Sequence, residues 1–245
     1  MILASLMYHD IEAGPTDRRY SFSLAEFRGH LAALSAAGLG APGLPGETGA
    51  SWAVTFDDGH PGWLPAAEAL SERGWKGVFF AISGAVGKAG GLSRADVRRL
   101  ADMGHAVGSH SVDHPEALDR RDDAFILDQW SRSRKDLEDM TGKAVLAASV
   151  PGGFYGANVA RAAAAAGLRH LFTSEPVLAS WTEGGVEVYG RYTLTHGMGA
   201  EDAAALAAGR GTGRFRQYAA WNLKKAVKAV LLRPYLAVRG RMVKV

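Results

Sequence analysis

The sequence contains no cysteine, which excludes disulfide bonds and thiolate metal ligands. Any metal ion must therefore be bound by histidine, aspartate or glutamate side chains. The amino terminus is largely apolar for only seven residues, with neither a basic segment nor a small-residue cleavage site beside that run. No segment is apolar for long enough to cross a membrane as a helix. These absences predict a cytoplasmic protein.

The charge is nearly balanced over most of the chain. The 245 residues carry 28 Lys and Arg against 25 Asp and Glu, and the positive residues concentrate between Arg210 and Lys244. Because the remainder is close to neutral, nucleic acid is not a predicted partner. There is no internal repeat and no linker-like segment. We therefore expect residues 1–212 to form one α/β domain and residues 213–245 a basic, amphipathic helical extension.

Short apolar runs alternate with helix-like segments through most of the chain, which is typical of βα units around a largely parallel sheet or barrel. Ser23 followed by Glu26 forms a capping box, which predicts the start of a helix. Strands are predicted at residues 2–8, 52–56, 77–82, 106–109, 144–149, 171–173 and 186–194. Helices are predicted from residue 23 to about 38 and over residues 93–103, 123–140, 159–166 and 215–239, with another opening near Pro61.

Three polar clusters each follow a predicted strand immediately. They read TFDDG from Thr55, HSVDHP from His110 and VPGG from Val150. The carboxyl ends of parallel strands meet at one rim of a sheet or barrel, so we expect these clusters to lie together. The first offers two carboxylates, the second two imidazoles, and the third a glycine-rich turn with exposed backbone N–H groups. This composition indicates an Asp/His metal site.

Asp57 and Asp58 are adjacent carboxylates, and their repulsion has to be relieved by a shared proton, a metal ion or a basic neighbour. Successive strand residues point to opposite sides, so one carboxylate can bind a cation while the other faces the substrate. His110 and His114 can reach the same ion from a turn. Two histidines and one carboxylate leave positions open for water and substrate, as a hydrolytic Zn²⁺ site requires. Without the histidines, residues 57–59 would instead favour a strand-to-helix cap and turn.

The TFDDG and HSVDHP segments resemble the first two motifs of the polysaccharide deacetylase superfamily, the NodB-homology domain of carbohydrate esterase family 4. The resemblance extends from residues 8–10, whose YHD sequence is similar to the entry segment of exopolysaccharide-associated deacetylases, to about Leu194. It implies a distorted, incomplete (β/α) barrel. It also implies that Asp57 is the general base. The metal ligands that it implies are Asp58, His110 and His114, with Zn²⁺ expected and Co²⁺, Ni²⁺ or Mn²⁺ as alternatives.

The third motif departs from the pattern Arg-x-Pro-x-Gly of the family, because Ser149 stands where the arginine is expected. Arg191 is a candidate replacement as the partner of Asp57, and a surface or interface arginine is the alternative. The resemblance further implies that the turn formed by Pro151, Gly152 and Gly153 supplies a backbone N–H group to the oxyanion.

Two further histidines are candidates for the site. The resemblance implies a general acid in a late Leu-x-His segment, and His196 in Leu194-Thr195-His196 has this spacing, with a loop beyond the site as the alternative. His9 follows the first predicted strand, so it is expected at the same rim. His9 can either line the substrate site or have a packing role.

The function that these features favour is metal-dependent removal of N-acetyl groups from a sugar of a polysaccharide or its glycan precursor. One alternative is a hydrolase of the same fold that acts on a non-carbohydrate amide or cyclic ureide. The other is an inactive glycan-binding or scaffolding domain, which the missing motif arginine and the basic tail would suit. The C-terminal helix is expected to pack on the domain or on a second subunit, with peripheral contact to the inner face of a membrane as the alternative. The sequence leaves the oligomeric state open.

Overall fold

The computed structural model describes residues 4–230, so the predicted strand residues 2–3 and helix residues 231–239 lie outside the described part. Nine strands form one sheet in the order β11-β1-β4-β5-β6-β7-β8-β10-β9, and β2 pairs with β3 separately. Every pairing is parallel except that of β9 with β10. The strands are β1 (Ala4–Tyr8), β2 (Asp10–Glu12), β3 (Ser21–Ser23), β4 (Trp52–Asp58), β5 (Val78–Ala81), β6 (Ala106–Ser109), β7 (Ala147–Ser149), β8 (His170–Phe172), β9 (Ser180–Glu183), β10 (Val186–Tyr189) and β11 (Tyr192–Thr193).

The helices connect the parallel strands and cover the sheet. They are α1 (Leu24–Ala36), α2 (Trp63–Ser71), α3 (Arg94–Asp102), α4 (Asp123–Thr141), α5 (Ala157–Ala165), α6 (Ala200–Ala207) and α7 (Gly213–Val230), with 3₁₀ turns at Ser83–Ala85, Leu118–Arg120 and Pro151–Gly153. The predicted capping box is confirmed, because the Ser23 side chain accepts from the Glu26 N–H and the Glu26 carboxylate accepts from the Ser23 N–H. The helix expected near Pro61 begins two residues later, at Trp63.

The prediction of a single strand over residues 186–194 is wrong. Strand β10 lies near one end of the sheet, beside β8 and β9, whereas β11 forms the opposite edge beside β1. Only Gly190 and Arg191 separate the two strands, and three residue steps span at most about 11 Å. The two ends of the sheet must therefore approach each other, and the sheet curls into the distorted, incomplete (β/α) barrel that the resemblance implied, which is confirmed.

A glycine is required at the point where the chain crosses between the two ends of the sheet. A Cβ atom on Gly190 would lie 2.4 Å from the Val177 side chain and 2.5 Å from the Glu175 carbonyl oxygen. The carbonyl of Glu175 also accepts a hydrogen bond from the Arg191 N–H at 2.8 Å. The crossing is thus tightly enclosed, and the arginine that follows it enters the barrel.

Alternation along β4 divides the sheet into an outer, helix-facing side and an inner side. Phe56 stacks on Phe79 at 4.5 Å between ring centroids and faces the helices, within the main hydrophobic core. The next residue, Asp57, points to the inner side. A second, smaller apolar cluster fills the inside of the barrel, and it consists of Ala53, Val78, Phe80, Ala147, Phe172 and Tyr189.

Helix α7 is seated on the rim of the barrel by one narrow stripe. The Gln217 side-chain amide exchanges two hydrogen bonds with the backbone of Thr193 in β11, at 3.1 and 3.0 Å. The Trp221 ring packs so closely on Gly153 that a Cβ there would lie 2.6 Å from it. Among residues 4–230, no helix combines the length and the apolar content that crossing a bilayer requires.

Candidate metal centre and active site

The three polar clusters follow β4, β6 and β7, and the sheet brings their ends to the same rim. Asp58 is in register with Ala81, Ala81 with Ser109, and Ser109 with Ala148, so the carboxyl ends of these strands lie side by side. The carboxyl-end rim is the usual position of sites in parallel α/β folds. The clusters therefore meet because their strands end together.

Asp58, His110 and His114 bring three ligand atoms within 4.8 Å of one another. The distance from Asp58 Oδ1 to His110 Nε2 is 3.3 Å, and that to His114 Nε2 is 3.8 Å. His110 is buried, whereas the other two side chains are partly exposed toward the mouth of the barrel. Two imidazoles and one carboxylate form the donor set of open, hydrolytic metal sites.

The backbone around this cluster is in an unusual conformation. Asp58 and His114 both have positive φ, +85° and +50°, a region that side-chain-bearing residues seldom adopt and that costs about 1–3 kcal/mol when they do. Ser111 also has positive φ, and its hydroxyl accepts the His114 N–H at 3.0 Å. Two of the three candidate ligands are thus held in a strained geometry by their surroundings, which is common at functional sites.

Gln129 of α4 holds the loop between the two histidines, and the sequence reasoning missed it. Its side-chain oxygen accepts the N–H groups of Val112 and Asp113, at 3.0 and 3.2 Å, and its amide nitrogen donates to the Asp113 carboxylate at 3.1 Å. The side chain is buried. A glutamine within the apolar stripe of a predicted helix, between Ile126 and Leu137, was the signal that could have identified it.

The ring of His110 is oriented by a hydrogen bond on the side away from the cluster. Its Nδ1 lies 2.9 Å from the Ser149 carbonyl oxygen, so this nitrogen carries the proton and donates it. The Nε2 lone pair is then available on the side of Asp58. Metal-binding histidines are typically oriented in this way by a carbonyl or carboxylate partner, and the arrangement fits a divalent ion.

Asp57 is buried and forms a bidentate ion pair with Arg191. Nη1 donates to Oδ1 at 2.7 Å, and Nη2 donates to Oδ2 at 2.8 Å. Ser149 bridges the pair, because its hydroxyl donates to Asp57 Oδ2 at 2.9 Å and accepts from Arg191 Nη2 at 2.7 Å. The small side chain at the position of the missing motif arginine thus leaves room for an arginine from another part of the chain.

All five N–H donors of Arg191 have acceptors. Besides the contacts to Asp57 and Ser149, Nε donates to the Thr173 carbonyl at 2.9 Å and Nη1 donates to the Thr55 hydroxyl at 3.1 Å. The side chain has no exposed surface, and the guanidinium lies over the rings of two phenylalanines inside the barrel, Phe80 and Phe172. The alternative of a surface arginine therefore does not describe it.

The charges of the site keep both carboxylates ionised. Burial opposes the charged form of Asp57, but the charges of Arg191 and His110 outweigh it and lower the pKa of the carboxyl group. Burial also opposes the charged form of Asp58. The hydrogen bond with His110 and the charges of the nearby histidines outweigh this effect, so the pKa of Asp58 is lowered as well. The pKa of His110 is raised, because the charges of Asp57 and Asp58 exceed the effect of its burial. Since Arg191 already neutralises Asp57, the Asp58 side of the cluster favours a cation.

The two candidate histidines outside the cluster lie in different surroundings. His9 follows β1, its ring packs on Tyr20 at 4.9 Å between centroids, and its buried Nδ1 has no hydrogen-bond partner among the described residues. Its charge lowers the pKa values of both Asp57 and Asp58. His196 is exposed, donates its N–H to the Arg19 carbonyl at 2.8 Å, and acts electrostatically on Glu26. The structure thus brings His9 beside the two carboxylates and places His196 next to the start of α1.

Two backbone N–H groups at the glycine-rich turn donate hydrogen bonds to carbonyl groups of the same turn. Gly152 and Gly153 both have positive φ, and the Gly153 N–H donates to the Val150 carbonyl at 3.3 Å. The Phe154 N–H donates to the Pro151 carbonyl at the same distance. These two amides are therefore engaged inside the turn.

A cavity of about 200 Å³ opens between this turn and α7, and the sequence reasoning did not anticipate it. It lies between the loop that follows His114, the third motif and the C-terminal helix. Its lining residues are Asp119, Arg120, Gly153, Phe154, Tyr155, Glu175, Trp221, Lys224 and Lys225. Aromatic faces combined with a few charged groups are typical of ligand sites.

A second group of potential ligands, Asp10, Glu12 and His60, also brings its atoms within 4.8 Å. Arg18 already pairs with both carboxylates, at 3.1 Å to Asp10 and 3.0 Å to Glu12. The two carboxylates of this group are therefore already paired with the positive charge of the Arg18 guanidinium.

Comparisons with known proteins agree with the geometry of the rim. The family model named polysaccharide deacetylase matches residues 46–171. The peptidoglycan-N-acetylglucosamine deacetylase PgdA of Listeria monocytogenes is 36% identical over 95 residues, which cover 37% of this chain and 19% of that protein. The chitooligosaccharide deacetylase of Azorhizobium caulinodans is 36% identical over 92 residues, which cover 37% of this chain and 41% of that protein.

The polysaccharide deacetylase BC0361 of Bacillus cereus has a similar structure, with a TM-score of 0.73 and 21% identity, covering 83% of this chain and 68% of that one. This likeness concerns the fold alone. The chain spans less than half of the length of the curated relatives that it matches. The matched residues 46–171 make up just over half of this chain and include both carboxylates of β4 and both histidines of the cluster. The chain belongs to the polysaccharide deacetylase family.

Proposed function

We propose that this protein is a metal-dependent hydrolase that removes the acetyl group from an N-acetylated sugar of a polysaccharide or its glycan precursor. One observation carries the proposal: a buried carboxylate, Asp57, is held by Arg191 with one oxygen 3.9 Å from His110, beside a three-ligand cluster at the mouth of the barrel. A fixed carboxylate next to an open metal site is the arrangement that hydrolysis of an amide requires.

Asp58, His110 and His114 would hold the divalent ion, for which Zn²⁺ is our first choice, with Co²⁺, Ni²⁺ or Mn²⁺ as alternatives. The donor set and the oriented ring of His110 support this assignment. When bound, such an ion polarises the amide carbonyl and lowers the pKa of water.

Asp57 is the proposed general base. Its lowered pKa keeps the carboxylate free of protons at neutral pH, so it can accept one from the attacking water. Arg191 and Ser149 fix its orientation through three hydrogen bonds, which limits the entropy lost on reaching the reactive geometry.

For protonation of the leaving amine we propose His9 in place of His196. The charge of His9 acts on the Asp57 carboxylate, and the ring nitrogen Nδ1 has no hydrogen-bond partner among the described residues, which supports a role for this ring in proton transfer. Turnover of His9→Ala and His196→Ala distinguishes the two: we expect a loss of about 10²- to 10⁴-fold for His9→Ala and little change for His196→Ala. The reverse order would return the role to His196.

The substrate class is supported by the cavity and by the relatives. The cavity beside the third motif presents Tyr155 and Trp221, whose faces suit packing against a sugar ring, together with charged groups for hydroxyl contacts. Relatives named for peptidoglycan N-acetylglucosamine and chitooligosaccharides favour an N-acetylated glycan. An exopolysaccharide substrate and a cytoplasmic location stay predictions.

The scaffolding alternative loses one of its two supports, because the absent motif arginine has a replacement in Arg191, and only the basic tail still favours it. Metal analysis of the purified protein, followed by acetate release from a panel of N-acetylated glycans and simple amides, tests the proposal. We expect bound divalent metal and acetate release from glycans that stops on chelation. Release from the non-carbohydrate amides alone, or metal binding without any release, would contradict it. Asp57→Asn is the matched inactive control, since it keeps the size of the side chain.

A further inference from the structure

Helix α7 has two opposite faces of different character. Gln217, Trp221 and Lys225 repeat every four residues and form the stripe that contacts the domain, through Thr193, Gly153 and Glu175 respectively. Residues two positions apart on a helix are separated by about 200°. The stripe at 215, 219 and 223 therefore points away from the domain.

This outward face is apolar and exposed. Phe215 is 59% exposed and Leu223 68%, and Tyr218, on the flank of the helix about 100° from Gln217, is 50% exposed. Among the side chains of residues 4–226, only one other large hydrophobic residue is exposed, Leu127 at 37%, and it lies on α4. Such a concentration of exposed apolar groups on a single helix indicates an interaction surface.

The charge of this part of the chain differs in sign from that of the rest. Asp202 is the last acidic residue of the sequence, and ten Lys and Arg residues follow it. The preceding segment contains the remaining 18 basic residues and all 25 acidic ones. Arg216 is exposed beside the apolar face of α7. An exposed apolar face in a uniformly basic segment matches an interfacial helix that binds anionic lipids.

We propose that the outward face of α7, on which Phe215 and Leu223 lie, binds an anionic lipid surface. The apolar side chains enter the boundary between headgroups and acyl chains, and the basic residues are attracted by the negative surface. A second copy of this chain fits the face less well, because it would bring two segments of the same positive charge together.

The position of α7 gives this contact a consequence for the site. Trp221, on the inward side of the same helix, packs on Gly153 of the third motif. A lipid surface on the outward side would therefore lie about one helix diameter, roughly 10 Å, from the rim of the barrel. If the proposed deacetylase function holds, the glycan it acts on is one presented close to a membrane surface.

Co-sedimentation of the full chain with lipid vesicles tests the proposal without using enzymatic activity. We expect the protein to sediment with phosphatidylcholine vesicles that contain phosphatidylglycerol, to remain in solution with phosphatidylcholine alone, and to be released by high salt. The double variant Phe215→Ser, Leu223→Ser should bind the anionic vesicles at least about tenfold more weakly. Leu127→Ser is the matched control and should bind like the unchanged protein.

Thermal unfolding and metal content of the double variant should match those of the unchanged protein, which separates loss of the surface from loss of the fold. The proposal is overturned if the unchanged protein stays in solution with anionic vesicles at low salt, or if the double variant sediments as well as Leu127→Ser. A concentration-dependent dimer that the double variant abolishes would instead make this face a contact between copies. Salt-sensitive binding to nucleic acid but not to vesicles would also overturn it. None of these results depends on whether the protein deacetylates a glycan.

Discussion

Positive charge occurs in two settings on this molecule, the buried guanidinium of Arg191 and the exposed basic residues of α7. Arg191 has no exposed surface, and its five N–H donors have acceptors on four residues from three other segments of the chain. On α7 the contact of Lys225 with Glu175 at 3.0 Å is solvent-exposed and contributes little stability, and in our proposal the basic residues of this segment act together on a charged surface. A buried charge thus acts through one specific partner, whereas exposed charges act through their sum.

The same contrast applies to conformation. The rim of the barrel holds Asp58 and His114 in strained backbone geometry, which requires support from the surrounding structure. Helix α7 has ordinary helical geometry and is seated by a single stripe. Changes in the barrel should therefore affect metal binding and chemistry, and changes in α7 should affect binding of large partners.

The largest expected effect is the loss of metal from His110→Ala or His114→Ala. Each removes one of three protein ligands, so divalent-ion affinity should fall by more than about 100-fold. Metal content after dialysis measures this. His196→Ala is the matched control, because His196 is exposed and lies outside both groups of potential ligands. Full metal occupancy in His110→Ala or His114→Ala would show that these residues do not form the metal site.

Asp57→Asn should lower turnover by about two to four orders of magnitude while metal stays bound. The amide keeps the shape of the side chain but does not accept the proton of the water. Metal analysis alongside acetate release distinguishes this outcome from a ligand role. If the variant loses its metal, the roles of Asp57 and Asp58 are exchanged.

Arg191→Met should shift the acidic limb of the kcat/KM profile toward higher pH by about one to three units. Without the guanidinium, burial acts unopposed on Asp57 and raises its pKa. Arg191→Lys keeps the positive charge but loses the planar guanidinium that binds the carboxylate through two parallel hydrogen bonds, so we expect a smaller shift. An unchanged acidic limb in Arg191→Met would show that this arginine does not set the ionisation of the base.

The same pair sets a dependence of stability on pH. The pKa of Asp57 is lower in the folded protein than in the unfolded chain, so the pair stabilises the fold above the ordinary carboxyl pKa of about 4. This contribution is lost as the pH falls through the lowered value. Removing Arg191 leaves a buried carboxylate without its partner and should cost about 3–5 kcal/mol at neutral pH, measured by denaturant unfolding.

The smallest expected effect is that of Trp221→Ala on binding. We expect KM for glycan chains to rise by about tenfold while kcat changes little, since Trp221 borders the cavity and not the metal cluster. A short N-acetylated substrate is the internal control, because it does not reach the cavity. An equal loss of kcat on both substrates would mean that Trp221 supports the Gly153 turn and not the glycan.

Much of the site was predictable because its residues lie next to sequence patterns that can be recognised from a few neighbouring residues. Strand ends, the Ser23 capping box and the spacing of His110 and His114 follow from short-range patterns, and parallel strands bring their ends to one rim whatever the details of the sheet. The sequence patterns by themselves therefore determined the α/β class and an Asp/His cluster at the rim, and the resemblance to the family implied the barrel and the division of roles between Asp57 and Asp58.

Only the tertiary structure decided which residues complete the site. Arg191 reaches Asp57 across 134 positions of the chain because the sheet curls until β10 and β11 lie at facing ends. The sequence over residues 186–194 predicts one continuous strand. An extended segment with alternating apolar residues has the same pattern whether it forms one strand or two successive strands that pair with different neighbours. The positions of His9 and Gln129 depend in the same way on packing between distant segments. Local periodicity carries no information about the curvature of a sheet, and that curvature is what brings the arginine to the carboxylate.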